Sequence, residues 1–466
     1  MQRLGTAPNL ITYNASISAC EKGWQWEQAL RVLAMARASS LRLNETTYNA
    51  SISACEKGHR WDRGLSLLVE MQSKHLQPSV VTYNASVSAC ARSQQWARAL
   101  ELLRDMDNSA VLPDVITYNA AIVACRACRR WGRALGLLSE LRGKALQPTM
   151  VTFNSAIAAC EKGLQWTKAL ALLSEMWRCR LSADLVSHSS LISACEKGHE
   201  WERAVGQLAD MRKARLQPNE ISYNASLSAC HKASRWGLAL DLMLDMRHRR
   251  LSPSTVTFNA AISACEKAGQ TYTAWDILSD MVRQRVDTDE VTYNAVISAC
   301  EQTGNWIMAL ELFAEMALNQ MEFDAISYGA TISTCATGGE WTKALELLSD
   351  MVQSRVKMST IAFNAAISAC GKAGEWTRAL EIFGAMSLRR VELADSTHNT
   401  VLTSCEQASE WTKVFGLFAD MMQSEVEADA ITCSATVGAC GKMMRWAEVI
   451  DLLHGTLGST AQVDPV

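Results

Sequence analysis

The sequence predicts an all-α solenoid of stacked helical hairpins, and three observations predict it. Cysteine recurs every 35 residues, at Cys20, Cys55, Cys90, Cys125, Cys160, Cys195, Cys230, Cys265, Cys300, Cys335, Cys370, Cys405 and Cys440. Tryptophan keeps the same interval from Trp26 to Trp236 and again from Trp306 to Trp446, broken only where Thr271 stands with Tyr272 beside it. Six of the seven prolines, Pro8, Pro78, Pro113, Pro148, Pro218 and Pro253, share one register of that period. A period of this size marks a supersecondary unit that cannot bury its apolar face alone and stacks on its neighbours to do so. With the Tyr/Phe of the V-T-Y-N-like string at position 4, the units run 10–44, 45–79, 80–114, 115–149, 150–184, 185–219, 220–254, 255–289, 290–324, 325–359, 360–394, 395–429 and a partial 430–453.

Each unit reads as two helices. The first is expected to open at the Thr or Ser of position 3, such as Thr12 or Thr82, whose side chain suits a free helix-start amide. Small and apolar residues lead to the cysteine at position 11, and Gly23, Gly58, Gly163 and Gly198 at position 14 suit a left-handed helix end. The second helix shows helical spacing, with Trp96, Ala99, Leu100, Leu103 and Met106 at i, i+3, i+4, i+7 and i+10. It stops before the proline of position 34, whose ring cannot continue a helix. Residues 1–9 align with the end of a preceding unit, Met1 falling where Met71, Met106 and Met176 fall, so the array is expected to start inside a longer one. Residues 454–466 carry no repeat and read as a frayed tail.

Composition narrows the function classes. Hydrophobic residues make up 48% and charged residues 20%, which suits a continuous core. No run approaches the roughly 18 apolar residues of a membrane span, and Met1 to Asn14 lack the zones of a secretory signal. Thirteen cysteines at a fixed helical position imply a reduced, intracellular compartment. Spaced a whole unit apart they do not form the short pairs that zinc needs, and the single C-x-x-C, Cys125 and Cys128, has no partner pair. The eight histidines show no catalytic or metal grouping, so no enzyme activity, cofactor or metal is expected. The tryptophans, at i, i+3, i+4 with Ala and Leu, read as packing residues rather than base-stacking ones.

The 35-residue period, the V-T-Y-N-x-x-I-x-A-C opening, the A-L-x-L-L-x-x-M second helix and the Pro-Asp or Pro-Ser ending together resemble the pentatricopeptide repeat family in its uniform 35-residue class, over about residues 1–453. The tetratricopeptide repeat differs in period and lacks these strings. The resemblance implies a right-handed superhelix that binds single-stranded RNA, one base per unit, with the N-terminus toward the RNA 5′ end. It assigns base choice to positions 5 and 35 and base sandwiching to an aliphatic residue at position 2. Position 5 holds Asn14, Asn49, Asn84, Asn119, Asn154, Ser189, Asn224, Asn259, Asn294, Gly329, Asn364, Asn399 and Ser434. Position 35 holds Asn44, Ser79, Asp114, Thr149, Asp184, Asn219, Ser254, Asp289, Asp324, Ser359, Ala394 and Asp429. Position 2 is a branched aliphatic at Ile11, Val81, Ile116, Val151, Val186, Ile221, Val256 and Val291.

The chemistry of these residues agrees. An asparagine amide carries donors and an acceptor and can satisfy the Watson–Crick edge of an unstacked pyrimidine. A carboxylate at position 35 would fix that amide and favour uracil; Ser or Asn there leaves cytosine acceptable, and Ser at position 5 makes room for a purine. Asn84/Asp114, Asn154/Asp184, Asn259/Asp289, Asn294/Asp324 and Asn399/Asp429 then read U, Asn49/Ser79 and Asn224/Ser254 read C, and Ser189/Asn219 reads A. Asn14/Asn44, Asn119/Thr149 and Asn364/Ala394 accept either pyrimidine, while Gly329/Ser359 and Ser434 paired with Asp464 choose no base. The expected target is 5′-YCUYUACUUNYUN-3′. A net charge of −3 is low for an RNA binder. Nine cations at position 13, Lys22, Lys57, Arg92, Lys162, Lys197, Lys232, Lys267, Lys372 and Lys442, are expected to face phosphates, with acids such as Glu101, Asp105, Glu311 and Glu315 on the second helix. The partners implied are single-stranded RNA and recruited RNA-processing proteins, with no membrane, in a chloroplast or mitochondrion as in the family. The competing reading is a protein-binding scaffold of the tetratricopeptide type, against which the restriction of position 5 to Asn, Ser or Gly counts.

Overall fold

The computed structural model describes residues 9–39, 41–354, 356–388, 395–407, 413–414 and 416–417. Among them every regular element is a helix, 23 in all, and no strand occurs. The chain is an all-α repeat solenoid that divides at residues 229 and 230 into two compact bodies of the same construction. Most of the second half of unit twelve, unit thirteen, residues 1–8 and the tail 454–466 lie outside the described residues.

A unit consists of a first helix and a second helix, as in Leu10–Lys22 and Trp26–Ala38 or Val80–Arg92 and Trp96–Asn108. The first helix packs on its own second helix and on the first helix of the following unit. Position 4 fills that junction. Tyr48, Tyr83, Tyr118, Phe153 and, in the second body, Phe258, Tyr293, Tyr328 and Phe363 are at most 2% exposed. Around them lie the position 8 aliphatics Ile17, Ile52, Val87 and Ile122, the cysteines, and Ala99, Leu102, Leu103 and Met106 with their counterparts. Each such side chain contributes about 1.5–3 kcal/mol on leaving water. The tyrosine hydroxyls find acids of the second helix, Tyr48 donating to Glu70 (2.9 Å), Tyr293 to Glu315 (3.1 Å) and Tyr328 to Asp350 (2.8 Å).

Two expectations about helix ends are corrected. The first helix starts at position 1, two residues earlier than expected, and its cap is position 35 of the preceding unit. Thr at position 3 is instead the third helical residue. It closes a reciprocal capping box, as where Ser79 N–H donates to Thr82 Oγ1 (3.1 Å) and Asp114 N–H to Thr117 Oγ1 (3.2 Å). The left-handed residue is position 15, not the glycine of position 14. Gly23 has φ −84°, whereas φ is 59° at Trp24, 58° at Leu164 and 62° at His199. Position 16 then donates back to the position 11 carbonyl, Gln25 N–H to Cys20 O (3.0 Å) and Arg60 N–H to Cys55 O (2.9 Å), which requires the reversal at position 15.

The glycine of position 14 has a different origin. A Cβ built on Gly58 would stand 2.3 Å from Trp26 Cδ1, and Gly163, Gly198 and Gly338 meet Trp131, Trp166 and Trp306 at 2.3, 2.4 and 2.5 Å. The tryptophan of one unit, itself half-buried, lies flat on the first-helix end of the next. Unit eight departs from this: Thr271 Oγ1 pairs with Thr303 Oγ1 (2.9 Å) and donates to Ala299 O (2.8 Å).

The described cysteines of position 11 are free thiols, buried from Cys55 to Cys405, and burial pushes Cys90, Cys160 and Cys230 up to about 11. No described helix is long and apolar enough to cross a membrane, and no described group of His, Cys, Asp and Glu could hold a metal ion. Cys128 donates to Gln94 O (3.0 Å) and takes no part in a site with Cys125.

Candidate nucleic-acid interface

Position 35 lies between units. Its backbone is extended, as at Asn44 (φ −111°, ψ 174°) and Asp184 (φ −101°, ψ −179°), so its side chain turns back onto the first amides of the next helix. Asn44, Asp114, Thr149, Asp184, Asn219, Asp289, Asp324 and Ser359 all accept such an amide. Ser79 and Ser254 meet the position 3 hydroxyl of their capping boxes. Position 5 is one and a half turns into the helix before, half-buried at Asn14, Asn49, Asn84, Asn119, Asn154, Ser189, Asn224, Asn259, Asn294 and Asn364, and buried at Gly329 and Asn399.

Stacking brings these two positions together. Asn84 Nδ2 donates to Asp114 (3.2 Å), Asn154 Nδ2 to Asp184 (3.1 Å), Asn259 Nδ2 to Asp289 (3.1 Å) and Asn294 Nδ2 to Asp324 (3.4 Å). Where position 35 is Asn44 the contact is 3.4 Å and Asn14 Nδ2 also donates to Thr46 Oγ1 (3.0 Å). Asn49 turns its amide nitrogen to Glu45 (3.4 Å) and Asn364 to Ser396 (3.3 Å). Burial acts to raise the Asp184, Asp289 and Asp324 carboxyls. The helix-start amide, the position 3 hydroxyl and the asparagine amide outweigh it and hold them below the usual carboxylate range.

The amide oxygen is held by the next unit's position 3, which the sequence reading did not assign to the site. The hydroxyls of Thr47, Thr82, Thr117, Ser187 and Thr292 lie 2.5–2.6 Å from Asn14, Asn49, Asn84, Asn154 and Asn259 Oδ1, and all but Thr82 share their one proton between that oxygen and the position 35 side chain, 2.6–2.8 Å away. Ser189 and Ser222 meet at 2.9 Å. The signal was present, since twelve of thirteen units carry Thr or Ser there.

Position 2 forms an exposed aliphatic ladder. Ile11, Val81, Ile116, Val151 and Val186 in the first body, with Ile221, are 57–75% exposed, and Val256 and Val291 in the second are 63% and 61%. Ile326 (65%) and Ile361 (70%) extend it and were not singled out from the sequence.

The expected basic line is a line of charge pairs along part of its length. Lys57 pairs with Glu21 (3.0 Å), Arg92 with Glu56 (3.4 Å) and Lys197 with Glu161 (2.8 Å), each acid one residue before the equivalent cation of the preceding unit. Lys372 donates to Ala336 O (3.5 Å), Lys22, Lys162 and Lys267 are exposed, and Lys232 is half-buried within a contact network. Burial lifts Glu56 above the usual range despite Arg92 beside it. Ala394, Asp429, Ser434 and Lys442 lie outside the described residues.

Family descriptions match along the array. The PPR repeat family description matches residues 43–92, 78–127, 218–265, 253–302 and 288–337, the pentatricopeptide repeat domain residues 171–233, and the PPR repeat residues 151–181, 326–356, 361–391 and 396–426. The chain belongs to the pentatricopeptide repeat family. No curated protein matches it. Among solved structures, the crystal structure of the pentatricopeptide repeat protein PPR10 from maize is 19% identical, covers 98% of this chain and 75% of its own, and superposes with a TM-score of 0.55. The same-named protein in complex with an 18-nt psaJ RNA element is 18% identical over the same shares, with a TM-score of 0.44. Yeast Rmd9p in complex with a 16-nt target RNA is 13% identical, with 98% of each chain covered and a TM-score of 0.37. These likenesses are likenesses of fold. In this pentatricopeptide repeat chain positions 2, 3, 5 and 35 are therefore described by their own contacts.

Proposed function

We propose that this chain binds single-stranded RNA one base per repeat, with its N-terminus toward the RNA 5′ end. It acts as a non-catalytic adaptor in organellar RNA processing, stabilisation, splicing or translation, recruiting processing proteins to the transcript. The observation that carries the reading is the amide of position 5 held between position 35 of its own unit and position 3 of the next. An asparagine amide has two N–H donors and two lone pairs. At Asn84, Asn154 and Asn259 one donor goes to Asp and one lone pair to the position 3 hydroxyl, leaving one N–H and one lone pair for a base edge, while at Asn294 only the donor to Asp324 is made. Uracil and cytosine present donor and acceptor in opposite order on that edge, so a fixed amide serves one and a turned amide the other. Turning it in a carboxylate unit sets Oδ1 against Asp114, which repels it. In a neutral unit either orientation is open. This supports U at Asn84/Asp114, Asn154/Asp184, Asn259/Asp289 and Asn294/Asp324, and a wider pyrimidine choice at Asn14/Asn44 and Asn49/Ser79.

The exposed aliphatics of position 2 support the same reading. A ladder of solvent-facing Ile and Val side chains gains from apolar contact with base faces, and its 35-residue interval matches one base per unit.

The test is binding of 5′-YCUYUACUUNYUN-3′ against a scrambled oligonucleotide over a salt series. Preferential binding of the designed sequence is expected; equal affinity overturns the code. The paired change Asn84→Ser with Asp114→Asn, which keeps a capping residue at 114, is expected to move preference at the third base from U to A.

A further inference from the structure

We infer that, where it reaches Oδ1 of position 5, as Thr47, Thr82, Thr117, Ser187 and Thr292 do and Thr152, Ser327 and Thr397 do not, the position 3 hydroxyl of the following unit is a third determinant of base choice, a positioning residue that fixes the amide. The assignment rests on the base-reading proposed above.

The capping box alone does not account for this hydroxyl. Thr152 closes the same box with Thr149, accepting from its N–H at 3.0 Å, yet Asn119 Oδ1 has no hydrogen-bond partner. Thr117 closes its box and also stands 2.5 Å from Asn84 Oδ1. One described unit lacks the hydroxyl, at Ala362, and it follows the unit whose position 5 is Gly329. The hydroxyl is missing where there is no amide to hold. Two contacts on opposite ends define the amide plane and its direction; the carboxylate supplies one and the hydroxyl the other. With the carboxylate alone the amide can swing about its Cβ–Cγ bond while keeping a single N–H bond, and the base-facing groups lose their fixed places.

Fluorescence competition with 13-mers carrying U or C at the third base separates this from a cap. In the full chain, Thr117→Val is expected to lower the U-to-C affinity ratio about three- to tenfold, the effect of one net hydrogen bond. Thr117→Ser keeps the ratio. Thr152→Val removes an equivalent cap and leaves selectivity at the fourth base unchanged. A gain-of-function arm does not depend on the stability of the valine variant. A Cβ at Gly329 meets open space, so Gly329→Asn with Ser359→Asp is compared with the same pair plus Ala362→Thr, and the added hydroxyl is expected to raise the preference for U at the tenth base. An unchanged ratio in Thr117→Val, or no gain from Ala362→Thr, overturns the assignment while the RNA reading stands. Failure of the intact chain to bind either 13-mer overturns both.

Discussion

Position 35 is the last residue of one repeat and the cap of the next, so under the proposed reading a single side chain would serve stability and base choice together. Asp184 accepts Ser187 N–H at 2.8 Å and Asn154 Nδ2 at 3.1 Å. Removing it with Asp184→Ala removes a cap and is expected to lower stability by ~1 kcal/mol, while Asp184→Asn keeps most of it because Asn caps nearly as well. The carboxylates of Asp184, Asp289 and Asp324 lie below their ordinary range in the folded chain: burial acts upward on each, and the amide and hydroxyl donors more than offset it. A group whose folded pKa is lowered contributes stability above its unfolded value and loses it as pH falls through the folded one. The urea midpoint is therefore expected to gain nothing from these groups between pH 7 and about 5 and to drop below about pH 4. The triple Asn variant should show a shallower acid limb. Equal acid limbs in the two proteins would show that these carboxylates are no better held than in the unfolded chain.

The helix ends show what a sequence can and cannot specify. The two helices, their lengths and the proline stop follow from local composition, and the structure has them. The cap was misplaced because Thr at position 3 and Asp, Ser or Asn at position 35 are all capping types, and only the extended backbone at position 35 separates the residue before a helix from the third within it. The glycine at position 14 was read as a left-handed residue because the tryptophan whose ring approaches it lies 32 residues earlier, although the units after Trp61, Trp96, Trp201, Trp236 and Trp341 carry Ser93, Cys128, Ala233, Ala268 and Ala373 at that place. That pairing makes a prediction about the element. Gly163→Ala places a Cβ 2.3 Å from Trp131 Cδ1 and is expected to cost about 1–3 kcal/mol as an overpacked contact. Following the exchange seen at Thr271 and Thr303, Trp131→Thr should absorb most of that penalty. A double-mutant cycle in urea would read a coupling of about 0.5 kcal/mol or more between the two sites. Additive effects would mean that the tryptophan and the glycine are independent.

Across the whole molecule the question raised by the proposed function is how a chain of net charge −3 would hold a polyanion. The period and the identity of the contact residues are legible in one dimension. The pairing of Lys57, Arg92 and Lys197 with Glu21, Glu56 and Glu161 is not, because each partner lies 36 residues back and meets its cation only after stacking. Ion pairs that already satisfy a lysine leave less charge to displace counterions from phosphate, so affinity must come more from bases and the aliphatic ladder than from charge. For single strands the salt slope is about −0.7 per phosphate neutralised, and nine free cations would give about −6. With three of them paired the slope is expected to be shallower than about −4. Replacing Glu21, Glu56 and Glu161 with Gln releases those cations, and it is expected to raise affinity at low salt and steepen the slope by about 2 while leaving base preference unchanged. Pairs at these distances are half-exposed and individually weak, so their removal costs little stability. A slope that stays the same in the triple variant would place the position 13 cations away from the RNA backbone and leave binding to the base-facing register alone.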